Sequence, residues 1–235
     1  MNIGSFIASE KETYGIFFDN YAQSVTDDFK NKYNSLREVV EKKTLPLMYE
    51  NALKTSKLKH SQIKFLPPII NPTKIICIGM NYRKPYPIDG QSISNPKNII
   101  LFSKNSEAML AHLGSLEIPF GDAADTFDYE GEIAVVIGAT ARNVSVSNAH
   151  NFILGFSAFN DGSVRDWQSH SIHAGKNFSG SGSWGPWITP AEDLIDPSNL
   201  ELTVCLNGKV VQNASIKDMI FSVQEQISYI SSIMT

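Results

Sequence analysis

The sequence predicts an α+β chain, mostly β, with a small αβ domain over residues 1–68 and a larger domain over 69–235. Three observations predict this. Pro67, Pro68, Asn71 and Pro72 punctuate the chain, and a fixed φ with an extended preceding residue favours a boundary there. Apolar or alternating runs of strand length, rather than helix length, recur along the chain. Between two such runs, Asn207-Gly208 supplies the positive φ values of a type I′ hairpin turn.

In chain order, residues 14–18 alternate as a strand, and 29–43 form a polar stretch rich in Lys and Glu that reads as helical. Past the boundary, 74–80 is an Ile-rich run suited to a buried strand, and 81–95 is a Pro/Gly/Ser-rich connection. Residues 98–103 and 133–137 again read as strands, and 147–153 as a short helix behind a Ser/Asn start. Glycine, serine and tryptophan dominate 174–187, which predicts irregular backbone that approaches something closely. Residues 200–206 and 209–212 form the arms of the hairpin, and 221–234 carries Val223, Ile227, Ile230 and Met234 at helical spacing. There is no internal repeat.

With 42% hydrophobic and 19% charged residues among 235, the composition is that of a globular protein with a true core. A net charge of -4 lacks the basic footprint of a nucleic-acid or anionic-membrane binder. Small molecules and proteins remain as partners. No apolar run approaches the ~20 residues of a bilayer-spanning helix, and the first eleven residues lack the basic-then-apolar pattern of a secretory signal. An intracellular, cytoplasmic location is therefore expected, with the mitochondrion also open. Cys77 and Cys205 sit in strand-like apolar runs without CxxC spacing, which predicts buried free thiols.

The chemistry concentrates in three segments. In the first, Asp128-Tyr129-Glu130-Gly131-Glu132 runs into an apolar strand. Residues i and i+2 of a strand share a face, so Glu130 and Glu132 present neighbouring carboxylates. A divalent cation neutralises such a pair, and oxygen-only ligands favour Mg²⁺, Mn²⁺ or Ca²⁺ over zinc. Taken alone, Glu-x-Glu is more often what a solvated strand face carries. The second segment is Asn160-Asp161-Gly162-Ser163-Val164-Arg165-Asp166-Trp167-Gln168, and the third is Gly175-Lys176-Asn177-Phe178 leading to Gly185-Pro186-Trp187.

In this order and spacing the three segments resemble the fumarylacetoacetate hydrolase superfamily, whose members carry a "YEGE" strand, an "ND-x-S-x-RDxQ" turn and a "GK" loop before "GPW". The resemblance continues through Asp196-Pro197, Asn207-Gly208 and Met219-Ile220-Phe221, covering residue 74 to the end. It implies a mixed β-sandwich roll, a homodimer, and a Mg²⁺ or Mn²⁺ ion held by Glu130, Glu132 and Asp161. It also implies an enzyme that cleaves a carbon-carbon bond in small 2-oxo or β-diketo acids, as an acylpyruvate hydrolase or an oxaloacetate-type decarboxylase. A hydratase or isomerase of the superfamily, or a relative that only binds, stays open. Arg165, Gln168 and Lys176 match substrate-contacting positions. Arg165 would pair with a carboxylate or with Asp166, and Lys176 would supply positive charge to a developing oxyanion. Without the resemblance, an Arg165–Asp166 surface pair and a solvated Lys176 are the plainer expectations. Trp167, Trp184 and Trp187 are expected to pack in the core or the pocket wall.

The resemblance also breaks in two places. Family hydrolases follow "GxNY" with a His and, three residues later, a Glu that activate water; here Gly79-Met80-Asn81-Tyr82 leads to Pro85 and Ile88 in those slots. Neither accepts a proton, which favours decarboxylation over hydrolysis. His112, His170 and His173 are candidate replacements, though each is expected to be a surface or capping residue. The family's closing "PGD…TGTP" segment has no counterpart before Thr235, so closing strands are expected to be truncated.

Overall fold

Residues 1–83 and 95–235 are described by the computed structural model. β1 (Asn2–Ala8) and β2 (Lys11–Phe17) form a hairpin whose two turn residues, Ser9 and Glu10, both take positive φ. Non-glycine residues adopt that conformation at a cost, so the turn carries no Gly or Asn signal and only part of β2 was expected. β3 (Tyr21–Ser24), α1 (Asp27–Lys32), α2 (Leu36–Glu41), α3 (Leu45–Ala52), β4 (Leu58–Lys59) and β5 (Ile63–Phe65) follow, and the strands form one sheet in the order β4-β3-β2-β1-β5.

The single helix expected over 29–43 is instead two helices. The Tyr14 hydroxyl donates to the Tyr33 carbonyl at 2.5 Å, which removes that acceptor from α1. Ser35 then caps α2 by accepting from the Glu38 amide at 3.2 Å. One apolar cluster joins Ile3, Tyr14, Ile16, Leu36, Val39 and Met48 to Met109, Trp184 and Ile188 from beyond residue 69. Ile3 and Ile188 also exchange both backbone hydrogen bonds, at 2.9 and 2.8 Å.

In the second half β6 (Ile76–Gly79) and β7 (Ile100–Ser103) form strands where their apolar runs predict them and pair with each other; β6 is half-buried rather than buried, because it borders the cleft. β8 (Met109–Ala111) and β9 (Phe127–Asp128) precede the long strands β10 (Gly131–Ile137) and β11 (Ile153–Asn160). β12 (Ser163–Val164), α4 (Ile172–Lys176), β13 (Gly182–Trp184) and β14 (Thr189–Pro190) come next. The central sheet runs β10-β11-β13-β8, with β14 also on β11. Its pairs are antiparallel except β13 with β8, so the sheet is mixed and strand exceeds helix, as expected. The helix expected near 147–153 is a 3-10 helix, Val146–Phe152.

Irregular backbone was expected over 174–187; the structure corrects this with α4 and β13. Ser171 caps α4 at the Ala174 amide, 3.0 Å away. The glycines serve close packing: a Cβ on Gly182 would lie 2.7 Å from the Asn160 carbonyl oxygen, and one on Gly175 would lie 2.8 Å from that of Val164. β15 (Glu201–Leu206) and β16 (Lys209–Ser215) form the expected hairpin, with Asn207 at φ 50° and Gly208 at φ 78°. α5 (Val223–Ile233) is closed by a Ser222/Glu225 capping box and sets Val223 and Ile227 against Val144 and Ala149.

Cys205 is exposed on the hairpin, contrary to the expected burial, because that two-stranded ribbon has one open face. Cys77 is half-buried, and burial followed by the Asp161 charge pushes its thiol up to about 12. Among the described residues no helix is long and apolar enough to cross a membrane.

Candidate functional site

The β10–β11 ladder decides where the acids stand. Gly131 pairs with Asn160 and Glu132 with Phe159, and the Asp161 amide donates to the Glu130 carbonyl at 2.8 Å. Glu130 therefore faces Asp161 across one further rung. Opposed residues of an antiparallel pair share a face, and so do residues i and i+2. Glu130, Glu132 and Asp161 accordingly project from the same face, Asp161 almost wholly buried. They meet a cleft of about 1960 Å³ whose polar wall adds Arg165, Gln168 and Lys176 and whose apolar wall includes Ile76, Ile78, Phe102 and Val136.

Behind the acids the hairpin clamps the glycine between them. Gln212 accepts from the Gly131 amide at 3.0 Å and donates to its carbonyl at 2.8 Å. A Cβ at Gly131 would lie 2.1 Å from Cγ2 of Val204. Gly131→Ala is expected to destabilise the fold by about 1–3 kcal/mol through overpacking. Urea unfolding checks it, and an unchanged midpoint would show that the hairpin does not press on this strand.

Among the described residues three cations meet the acids. Lys104, buried at the end of β7, donates to Asp161 Oδ1 at 2.6 Å and to the Gly162 carbonyl at 2.9 Å. Lys176, at the end of α4, donates to Glu130 Oε2 at 2.5 Å and to Asp161 Oδ2 at 2.9 Å. Arg165 donates from Nε and Nη2 to Asp128 Oδ2 at 2.9 and 2.7 Å, and from Nη1 to Glu130 Oε1. β12 pairs with β9, and that pairing sets Arg165 beside Asp128. The surface pair with Asp166 does not form, and Lys176 is not solvated. Gln168 lines the cleft and packs its Cγ against Gly175.

Burial pushes Glu130 up, but hydrogen bonds and charge from Lys176 and Arg165 outweigh it and hold the carboxyl below its ordinary value. Glu132 differs. It takes no hydrogen bond from any described residue, and burial, then the charges of Glu130 and Asp161, push it up to about 7 from 4.5. Between those values the folded chain keeps a proton that the unfolded chain has released, so stability falls as pH rises through that window. With a chelator present, Glu132→Gln is expected to exceed the parent in stability by roughly 1–3 kcal/mol above pH 7 and to match it near pH 4. Urea unfolding from pH 4 to 8 reads this, and a constant difference across the range would contradict it.

Three carboxylates on one face fit a hard divalent cation in donor chemistry, and Glu132, without a hydrogen-bond donor among the described residues, leaves its carboxyl available to such an ion. Among the described residues no three His, Cys, Asp or Glu side chains surround a single point as a ready metal cage, since all four oxygens of Glu130 and Asp161 face lysine or arginine.

His112, His170 and His173 do not line the cleft. His112 packs edge-on to Phe65 at 5.0 Å, and burial, then His60, lowers its pKa. Pro85 and Ile88 lie outside the described residues. Trp184 packs in the core and borders the cleft, Trp187 packs on Phe17 and His60, and Trp167 lies outside the cleft against His170 and Phe178.

The sequence reasoning missed Lys104, Asp128 and Gln212. Lys104 is the one charge closing an apolar run, and Asp128 continues the alternation of Glu130 and Glu132, so both left a signal. Gln212 left none.

Comparison with known proteins gives the following. The family model described as Fumarylacetoacetate (FAA) hydrolase C-terminal matches residues 74–235. A protein from Archaeoglobus fulgidus is 39% identical over 178 residues, 74% of this chain and 67% of that one. The mitochondrial oxaloacetate tautomerase of Rattus norvegicus is 32% identical over 181 residues, 76% of this chain and 56% of that one. The chain thus spans little more than half the length of that relative. The solved structure of a fumarylacetoacetate hydrolase from Exiguobacterium antarcticum superposes with a TM-score of 0.84 at 27% identity, covering 100% of this chain and 82% of that one. A maleylpyruvate hydrolase from Sphingobium, in complex with manganese(II) and pyruvate, gives a TM-score of 0.80 at 20% identity over 100% of this chain and 84% of that one. At that identity the likeness concerns the fold.

Proposed function

Because the chain belongs to the fumarylacetoacetate hydrolase family, whose members are enzymes, we propose that it is a Mg²⁺- or Mn²⁺-dependent enzyme acting on small 2-oxo or β-diketo acids of the oxaloacetate or acylpyruvate type. The observation that carries this reading is the common face of Glu130, Glu132 and Asp161 beside three cationic side chains. Glu130, Glu132 and Asp161 would hold the ion. When bound, the ion supplies Lewis-acid stabilisation to the adjacent keto and carboxylate oxygens of such an acid. Lys176, on a mobile stem at the cleft wall, adds positive charge where negative charge develops on the substrate. Arg165 orients the site through Asp128 and presents its guanidinium to a substrate carboxylate. Gln168 contributes an amide at the cleft wall. The apolar wall excludes water from the reacting atoms and strengthens these charge interactions.

With Pro85 and Ile88 in the slots of the family's water-activating pair, the reading favours carbon-carbon cleavage by decarboxylation over hydrolysis. A second reading, keto-enol tautomerisation, is favoured by the relatives named oxaloacetate tautomerases at 30–33% identity. It moves a proton at carbon and breaks no carbon-carbon bond. A homodimer completes the proposal, supported by the exposed Leu206, Val210 and Val211 of the hairpin; light scattering measures it.

The deciding test incubates the purified protein with oxaloacetate and a panel of acylpyruvates, with Mg²⁺, Mn²⁺ or a chelator, and follows carbon dioxide, pyruvate and the keto-enol ratio by NMR. Metal-dependent turnover is expected. Loss of the metal dependence would overturn the mechanism, and absence of any turnover would leave a binding protein.

A further inference from the structure

We propose that the Lys176 ammonium holds the place of the divalent cation, so that ion and ammonium compete for the same two carboxylate oxygens. This rests on the metal reading above and concerns how the site behaves without its ion. Nζ of Lys176 stands between Glu130 Oε2 at 2.5 Å and Asp161 Oδ2 at 2.9 Å, and its side chain is only 6% exposed. These oxygens belong to residues opposed across the β10–β11 ladder. Their other oxygens are turned away, Glu130 Oε1 to Arg165 and Asp161 Oδ1 to Lys104. A cation bridging the two carboxylates from the cleft must therefore take the oxygens that Lys176 now holds.

Charge counting leads to the same place. Asp128, Glu130, Glu132 and Asp161 face Lys104, Arg165 and Lys176, and the carboxylate without a described partner is Glu132. Among these described groups, a divalent ion added beside an unmoved Lys176 would turn an excess of one negative charge into an excess of one positive charge. Withdrawal of the ammonium restores balance. Lysine suits this task better than arginine, being a single point charge on a flexible four-carbon stem. The arrangement lets the acids fold as compensated pairs in the absence of metal.

The test measures Mn²⁺ affinity by calorimetry for the parent, Lys176→Met and Lys176→Arg. Removing the competitor is expected to tighten Mn²⁺ binding at least tenfold in Lys176→Met, whereas Lys176→Arg, whose fork clamps both carboxylates, binds more weakly than the parent. Equal or weaker binding by Lys176→Met, with the parent binding normally, overturns the competition and leaves the metal centre standing. Failure of all three proteins to bind Mn²⁺ overturns the metal reading itself. Should Lys176→Met not fold, acetylation of the parent by acetic anhydride, read by mass spectrometry, decides. Lys176 labelling is expected to rise severalfold at saturating Mn²⁺ relative to exposed Lys54, and unchanged or lower labelling overturns the proposal.

Discussion

Glu130→Ala is expected to lose divalent-metal binding and turnover together, with the rate on the best substrate falling roughly 10³-fold or more, the several kcal/mol that a metal Lewis acid contributes to a transition state. Glu130 is the sharpest probe because it serves two neighbours at once, with Arg165 on one oxygen and Lys176 on the other. Its removal deletes a proposed metal ligand and loosens both cations on which substrate charge depends. The substitution is tolerable to the fold, since Glu130 precedes β10 and its backbone carbonyl, rather than its side chain, meets Asp161. Calorimetric Mn²⁺ titration and steady-state kinetics give the two readouts, and thermal unfolding separates either from a folding defect. Turnover by this variant in the presence of a chelator would defeat the mechanism.

Lys104→Met is expected to cost about 3–5 kcal/mol of stability, because it strips a buried charge network of one cation and leaves Asp161 Oδ1 and the Gly162 carbonyl without their donor, with Lys176 alone against Asp161. The Lys104 side chain is fully enclosed, and its ammonium serves both Asp161 and the Gly162 carbonyl. The loss should appear in urea unfolding at neutral pH and shrink when Asp161→Asn is added, since a neutral amide needs no counter-charge. Saturating Mn²⁺ should also restore part of it, by binding the folded state alone. A loss below about 1 kcal/mol would mean that Lys176, on the other oxygen, compensates Asp161 by itself.

How much of this was legible beforehand depends on the distance over which each feature is determined. β6, β7, β10, the Asn207-Gly208 hairpin and α5 declare themselves through local periodicity and turn chemistry. Glu130, Glu132, Asp161 and Lys176 stand out through short segments in a fixed order. The way Glu130 meets Asp161 did not, because a rung between two strands is set by pairing across thirty residues. The β1–β2 turn uses Ser9 and Glu10 at positive φ, against their local preference, and the break between α1 and α2 depends on the Tyr14 hydroxyl. α4 and β13 were hidden because their glycines answer to close neighbours rather than to turns. Lys104 was passed over since nothing in its own strand reveals that it reaches Asp161.

The opposition of Glu130 and Asp161 also bears on how the chain finds its fold. A slip of one residue between β10 and β11 would send every side chain of the displaced strand to the opposite face. With β10 displaced, Glu130 and Glu132 would press on Val204 of the hairpin, and Glu130 would be stripped of Lys176 and Arg165. A misaligned sheet is thereby penalised electrostatically as well as by exposed apolar surface. The charge cluster thus favours the native register over its one-residue slips.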